Sequence, residues 1–213
     1  MPLRAITFDL DGTLVDTLAD ITRAVNHSLA GGGLPPRRPE EIASFLGRGV
    51  EYLIERAIGR PGHHFFPEAL QEYIEFRRKR PAELCRLYPG VKETLERLRA
   101  LPLAVLSNGR EEMARTIVGK LGVAQYFRSV RGGDWAARRK PSPLPLLELS
   151  EEFGAPPAAC LMVGDMPVDI AAGKAAGFGV CAVTYGYGAR EDLAAAGANR
   201  FIDSFPELLK IVF

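Results

Sequence analysis

Short apolar runs alternate with helical patterns along most of this chain. Strands are predicted at residues 5–8, 103–106, 161–163, 180–183 and 200–202, with a weaker candidate at 127–130. Helices of period 3.6 are predicted at residues 91–99, 111–121, 144–153 and 168–176. Alternation of this kind is typical of α/β proteins. We therefore expect a doubly wound parallel sheet with helices on both faces.

One segment interrupts the alternation. Residues 18–81 contain no good strand, but they hold three helical patterns, at residues 21–30, 49–58 and 69–78. We therefore predict that residues 1–17 and 82–213 form an α/β core and that residues 18–81 form an inserted α-helical domain. The basic run at residues 77–80 is predicted to be a solvated helix face, balanced by nearby glutamates.

The composition excludes some partners. The chain has 213 residues and a formal net charge of +1, which gives no strong attraction to nucleic acid. No apolar stretch approaches the ~20 residues that span a bilayer, so no membrane partner is expected. The three cysteines lack metal-ligand spacing, and we expect no signal peptide before the first strand. These features predict a cytoplasmic protein, as a monomer or a homodimer.

Polar side chains stand where the predicted strands end. Asp9 and Asp11 follow the first strand, Ser107 and Asn108 follow the second, and Asp165 follows the third. The C-terminal ends of parallel strands meet at one edge of a sheet, where α/β proteins bind ligands. The alternative for the two aspartates alone is an Asp-rich turn that caps a helix. The sequence thus predicts a cluster of carboxylates, hydroxyl and amide, joined by the ammonium of Lys140 and, four residues after Asp165, by Asp169.

This set of groups suits the hydrolysis of phosphate esters. A phosphate dianion resists attack by an anion, and Mg²⁺ held by Asp9, Asp165 and backbone oxygen would neutralise it. Ser107, backbone N–H groups and Lys140 would bind the phosphoryl oxygens. One carboxylate would attack phosphorus, and a second would protonate the leaving alkoxide.

Four motifs resemble those of the haloacid dehalogenase superfamily. They are DLDGTLVDT at residues 9–17, SNG at 107–109, KPSP at 140–143, and Gly164-Asp165 followed by Asp169. Their order and intervals fit that superfamily over essentially the whole chain. The resemblance implies a Rossmann-like core with a helical cap, and a Mg²⁺-dependent reaction on a small phosphorylated metabolite.

The resemblance also implies roles for single residues. Asp9 would be the nucleophile and a metal ligand. Asp11 would be the general acid and base, with its backbone carbonyl on the metal. Asp165 would be the third protein ligand of the metal. Asp169 would support these groups, or would only be an acid in the first turn of a helix. The phosphoryl group would be bound by Ser107, Asn108, Gly109 and Lys140.

Two further features concern the reaction and its substrate. Members of the superfamily that release halide lack the acid at the position of Asp11, so its presence favours phosphoryl transfer. The segment at residues 45–57 resembles a cap segment of phosphoglycolate phosphatases, and in it Arg48 would pair with a substrate carboxylate. The alternative for Arg48 is an exposed residue at an ordinary helix start.

The leading prediction is therefore a phosphatase that acts through an aspartyl-phosphate, with phosphoglycolate as its substrate. A phosphosugar mutase, related to β-phosphoglucomutase, or a pyrophosphatase or nucleotidase would share every core motif. A binding protein on the same fold is disfavoured because no catalytic position is lost.

Overall fold

A six-stranded parallel sheet forms the centre of the molecule. The computed structural model describes residues 2–213. Its strands are β1 Ala5–Phe8, β4 Leu103–Leu106, β5 Ser129–Arg131, β6 Cys160–Gly164, β7 Gly179–Val183 and β8 Phe201–Ile202. They follow the order β5-β4-β1-β6-β7-β8, and each pairs in parallel with its neighbours. All six predicted strands are present, and the weak candidate at 127–130 begins two residues later and ends one residue later than predicted.

Helices cover both faces of this sheet, so the predicted fold class is confirmed. Alternate residues of one strand face opposite sides: Ile6 and Phe8 join one buried cluster, and Ala5 joins another. The first cluster is completed by α5 and α6, and the second by α7 and α8. The helices are α5 Val91–Leu98, α6 Glu111–Lys120, α7 Leu144–Glu152, α8 Pro167–Ala175, α9 Arg190–Ala195 and α10 Leu209–Val212.

The segment between the first strand and the rest of the core is helical. It contains α1 Leu18–Gly31, α2 Pro39–Ala43, α3 Val50–Ile58 and α4 Phe66–Lys79. Its apolar side chains, such as Val25 and Ile54, form a buried cluster separate from those of the sheet. The boundaries at residues 18 and 81 stay a prediction. We refer to α1–α4 as the helical insert.

A short antiparallel pair lies where the chain enters and leaves the helical insert. The strands are β2 Val15–Asp16 and β3 Arg86–Leu87. Next to them, Asp20 Oδ2 of α1 accepts hydrogen bonds from the backbone N–H groups of Leu84, at 2.9 Å, and of Cys85, at 3.1 Å. These bonds tie the first helix of the insert to the returning chain. No helix of residues 2–213 is both long and apolar enough to cross a membrane.

Candidate active site

The predicted site residues of the sheet lie at the ends of three adjacent strands. Phe8 of β1 pairs with Val105 of β4 on one side and with Val163 of β6 on the other. The residues that follow these strands therefore emerge side by side at one sheet edge. They include Asp9, Ser107 and Asp165, which are all buried.

The ammonium of Lys140 occupies the centre of this group. It is only 3% exposed, and its Nζ donates hydrogen bonds to Asp9 Oδ1, at 2.5 Å, and to the carbonyl of Leu106, at 2.6 Å. Asp169 Oδ1 forms an ion pair with the same nitrogen at 2.7 Å. Burial alone would lower the pKa of Lys140, but the charges of Asp169 and Asp9 outweigh it and hold the pKa above its usual value. Lys140 is therefore a fixed cation.

Three buried carboxylates lie close together here, and two of them, Asp9 and Asp169, pair with Lys140. Asp9, Asp165 and Asp169 each place one oxygen within 4.8 Å of the others, and they are 7%, 0% and 1% exposed. Burial, followed by the charge of Asp169, raises the pKa of Asp165 to about 7. Burial also raises the pKa of Asp9 well above its usual value, against the opposing effect of Lys140. When all three carboxyl groups are ionised, they exceed the charge of the single ammonium by two, and the raised pKa values show that the buried space opposes this state.

This donor set fits the metal that the sequence predicts. A divalent cation would balance the excess charge, and oxygen ligands of this kind suit Mg²⁺. Asp9 and Asp165 belong to both the predicted ligand set and the observed cluster. The carboxylate of Asp11 does not belong to the cluster, so its predicted contact with the metal depends on its backbone carbonyl alone.

Asp165 is held in place by a loop that the sequence analysis missed. Its Oδ1 accepts a hydrogen bond from Thr13 Oγ1 at 2.8 Å, and its Oδ2 accepts one from the backbone N–H of Tyr187 at 2.9 Å. Glycines make this approach possible: Gly12 has a φ of 90°, and a Cβ there or on Gly186 would overlap the Asp165 carboxylate. The alternating Tyr and Gly residues at 185–188 were the only sign of this loop in the sequence.

Asp11 points toward the ligand side of the strand ends. Its Oδ1 accepts a hydrogen bond from Thr17 Oγ1 at 2.7 Å, and its Oδ2 accepts one from Ser107 Oγ at 3.2 Å. The Ser107 hydroxyl also accepts the backbone N–H of Gly109, at 3.0 Å. The structure therefore places Asp11, Ser107 and Gly109 together, beside the cluster of buried carboxylates.

Asn108 joins three segments of the chain. Its Oδ1 accepts the backbone N–H of Lys140 at 2.7 Å, and its Nδ2 donates to the carbonyls of Lys140, at 2.8 Å, and of Gly47, at 2.7 Å. Gly47 lies in the loop before α3, so this amide connects the helical insert to the core. Because all of its polar atoms are used by the protein, the Asn108 side chain positions Lys140 and the insert rather than offering free donors.

A cavity lies between the strand ends and the helical insert. Its core side includes Asp9, Asp11, Ser107 and Lys140, and its other side is formed by α3, α4 and the loop at residues 46–49. Two predicted site residues, Asp165 and Arg48, do not line it. Asp165 is fully buried. The side chain of Arg48 is exposed, and its guanidinium lies 5.1 Å from the ring centre of Tyr52.

The basic run of α4 is not the uniform solvated face that the sequence predicts. Arg78, Lys79 and Arg80 are exposed, but Arg77 is 5% exposed and lines the cavity. The reason is helical periodicity: Arg77 follows Tyr73 by four residues, so the two side chains share the inward face. The prediction treated residues 77–80 as one exposed group and therefore did not identify Arg77 as buried.

The chain is an α/β protein with buried carboxylates and a cavity at the C-terminal ends of its parallel strands. Residues 6–183 match the family described as haloacid dehalogenase-like hydrolase, and the chain belongs to this family. The predicted superfamily membership is thus confirmed.

Relatives of the same kind cover nearly the whole chain. It is 38% identical to a phosphoglycolate phosphatase of Chromobacterium violaceum, over 99% of this chain and 96% of that protein. It is 36% identical to phosphoglycolate phosphatase 1 of Pseudomonas aeruginosa, over 97% of this chain and 78% of that protein. The crystal structure of a predicted phosphoglycolate phosphatase from Haemophilus somnus superimposes with a TM-score of 0.91 at 31% identity, covering 99% and 98% of the two chains.

Proposed function

We propose that this hydrolase is a Mg²⁺-dependent phosphatase of small phosphate monoesters, and that its substrate is phosphoglycolate. The observation that carries the proposal is the cluster of three buried carboxylates at the strand ends, two of which pair with Lys140 beside the cavity. Such a set suits a divalent cation and a phosphoryl group together. The names of the similar proteins support the substrate.

In the first step, a carboxylate oxygen of Asp9 attacks phosphorus. A bond forms between Asp9 and phosphorus while the bond from phosphorus to the leaving oxygen breaks. Lys140 keeps Oδ1 of Asp9 fixed at 2.5 Å, which orients the carboxylate for attack. Asp11 gives its proton to the leaving alkoxide, and the Ser107 hydroxyl at 3.2 Å keeps Asp11 at the edge of the cavity.

In the second step, water hydrolyses the aspartyl-phosphate. Asp11, now ionised, takes a proton from the water, whose oxygen bonds to phosphorus as the bond to Asp9 breaks. Inorganic phosphate leaves, and both aspartates return to their starting forms. Asp9, Asp165 and the carbonyl of Asp11 would hold Mg²⁺, which supplies charge neutralisation for the phosphoryl oxygens. The predicted cytoplasmic location and the monomeric or dimeric state stay predictions.

The test is release of inorganic phosphate by the purified protein. Phosphoglycolate with Mg²⁺ is expected to give rapid release, and EDTA or the substitution Asp9→Asn is expected to stop it. Glucose phosphates, pyrophosphate and a nucleoside monophosphate serve as competing substrates. A preference for one of these, or conversion of a sugar phosphate to its isomer without phosphate release, would contradict the proposal.

A further inference from the structure

Arg77 is a buried cation with a donor atom that no group of residues 2–213 satisfies. Its side chain is 5% exposed, and its Nη1 atom is buried without any hydrogen-bond partner. No carboxylate among residues 2–213 forms an ion pair with it at 4.0 Å or less. An unpaired buried charge is strongly unfavourable for folding. A protein keeps such a group where a ligand supplies the missing partner.

The nearest acids are engaged elsewhere. Burial alone would lower the pKa of Arg77, but nearby groups, first Tyr73 and then acids that include Asp11 and Asp20, raise it. The carboxylate of Asp11 accepts hydrogen bonds from the hydroxyls of Thr17 and Ser107. Asp20 Oδ2 is used by the returning backbone, and its Oδ1 lies 3.4 Å from Arg23. Neither acid completes the hydrogen bonds of the Arg77 guanidinium.

The position of Arg77 specifies which part of a ligand it would meet. It lines the same cavity as Asp9 and Lys140, but from α4 of the helical insert. Apolar side chains also line this cavity, among them Ile21, Leu53 and Ile74. A ligand whose phosphoryl group lies at Asp9 would therefore direct its other end toward the insert. Arg77 and Arg78 both line that side, but only Arg77 is buried there, with its Nη1 unsatisfied.

We propose that Arg77 selects the substrate by binding a carboxylate at the end opposite the phosphoryl group. A guanidinium binds a carboxylate through two parallel hydrogen bonds, and exclusion of water strengthens the contact. The inference rests on the proposed phosphatase function, which it deepens by naming the chemical class of the substrate. It also replaces Arg48, whose exposed side chain does not line the cavity.

The test compares two phosphate esters that differ in charge at the far end. Phosphoglycolate carries a carboxylate there, and 2-hydroxyethyl phosphate carries a neutral hydroxyl. The measured quantity is the selectivity, the ratio of the two kcat/KM values. Arg77→Met keeps much of the side-chain length without the charge, and it is expected to lower the selectivity by about 10- to 100-fold, the scale of a charged hydrogen bond. Lys79→Met removes one positive charge from the exposed face of the same helix and is the matched control.

A second variant covers the case in which Arg77→Met fails to fold. Arg77→Lys keeps the charge but cannot form the bidentate hydrogen bonds of a guanidinium, so the selectivity is expected to fall several-fold. Unchanged selectivity in either variant, or an equal fall in Lys79→Met, would overturn the role of Arg77. A wild-type protein that hydrolyses both esters equally well would overturn it while leaving the phosphatase proposal intact. A wild-type protein that releases no phosphate from any ester would overturn the proposed function itself.

Discussion

Neutralising Asp165 is expected to stabilise the metal-free protein while removing its response to Mg²⁺. Burial and the charge of Asp169 raise the pKa of Asp165 from 3.8 to about 7. A raised carboxyl pKa favours the folded state below pH 3.8, and this advantage is lost as the pH rises through about 7. At pH 8 the ionised carboxylate therefore costs the folded state about 4 kcal/mol, at about 1.36 kcal/mol per pKa unit.

The substitution Asp165→Asn removes this cost but loses one hydrogen bond. The carboxylate accepts from both Thr13 and Tyr187, and an amide oxygen with an amide nitrogen satisfies only one of these donors. The unsatisfied donor costs about 1–3 kcal/mol at every pH. The variant is therefore expected to exceed the wild type in stability at pH 8 by about 1–3 kcal/mol.

The change with pH in the stability difference between variant and wild type is the more informative quantity. The cost of the lost hydrogen bond is the same at every pH and therefore cancels from this change. Between pH 5 and pH 8 the stability of the variant relative to the wild type should rise by about 2–3 kcal/mol. That corresponds to a relative rise in Tm of about 5–10 °C for a chain of this length. The assay is thermal unfolding in EDTA across this pH range, with Asp192→Asn on the exposed start of α9 as the control.

Two results would refute the reasoning. One is a difference in Tm between variant and wild type that stays constant from pH 5 to pH 8, because Asp165 would then not titrate with a raised pKa. The other is an equal rise in Tm with Mg²⁺ for variant and wild type, because Asp165 would then not hold the metal.

Four further predictions concern turnover. Asp9→Asn should abolish phosphate release, because an amide is a poor nucleophile, and a substantial residual kcat would exclude Asp9 from this role. Lys140→Met should lower kcat by at least about 10²-fold through the loss of a fixed positive charge, and an unchanged kcat would contradict this. Asp11→Asn should slow alkyl phosphates far more than aryl phosphates, whose leaving groups need less protonation, so equal losses would exclude the acid role. Arg48→Met should change kcat/KM for phosphoglycolate by less than about threefold, since its exposed side chain does not line the cavity; a fall of more than about tenfold would restore the prediction from the sequence.

The sheet and its polar edge were predictable because buried strands appear in the sequence as short apolar runs that end in polar residues. The run at Leu103–Leu106 is apolar at every position and ends at a turn, so both its bounds were predicted correctly. Helix starts were less accurate. Helix α4 begins at Phe66, three residues before the predicted start, because Pro67 and Glu68 interrupt the apolar period although both are favourable in a first turn. Helix α2 has only five residues, too few to show a period.

The parts of the site that depend on tertiary contact were not predictable from the local pattern. Tyr187 holds Asp165 through a backbone N–H group, which any residue except proline could supply. Its position follows from the approach of a loop 22 residues further along the chain. The burial of Arg77 was not predicted for a different reason. Three exposed basic residues follow it directly, and its burial depends on which face of α4 lines the cavity.

The buried charged groups of this protein are of two kinds: some have protein partners for their charge and hydrogen bonds, and others do not. Asp20 has backbone N–H partners and an arginine nearby, and these contacts join two segments of chain. The carboxylates around Lys140 exceed the available positive charge, and Arg77 lacks any partner for its Nη1. The first kind stabilises the fold, whereas the second kind destabilises it in the absence of ligands. Acids at the strand ends and the buried Arg77 of the insert line the same cavity, as expected if one ligand, bound together with a metal ion, compensates both.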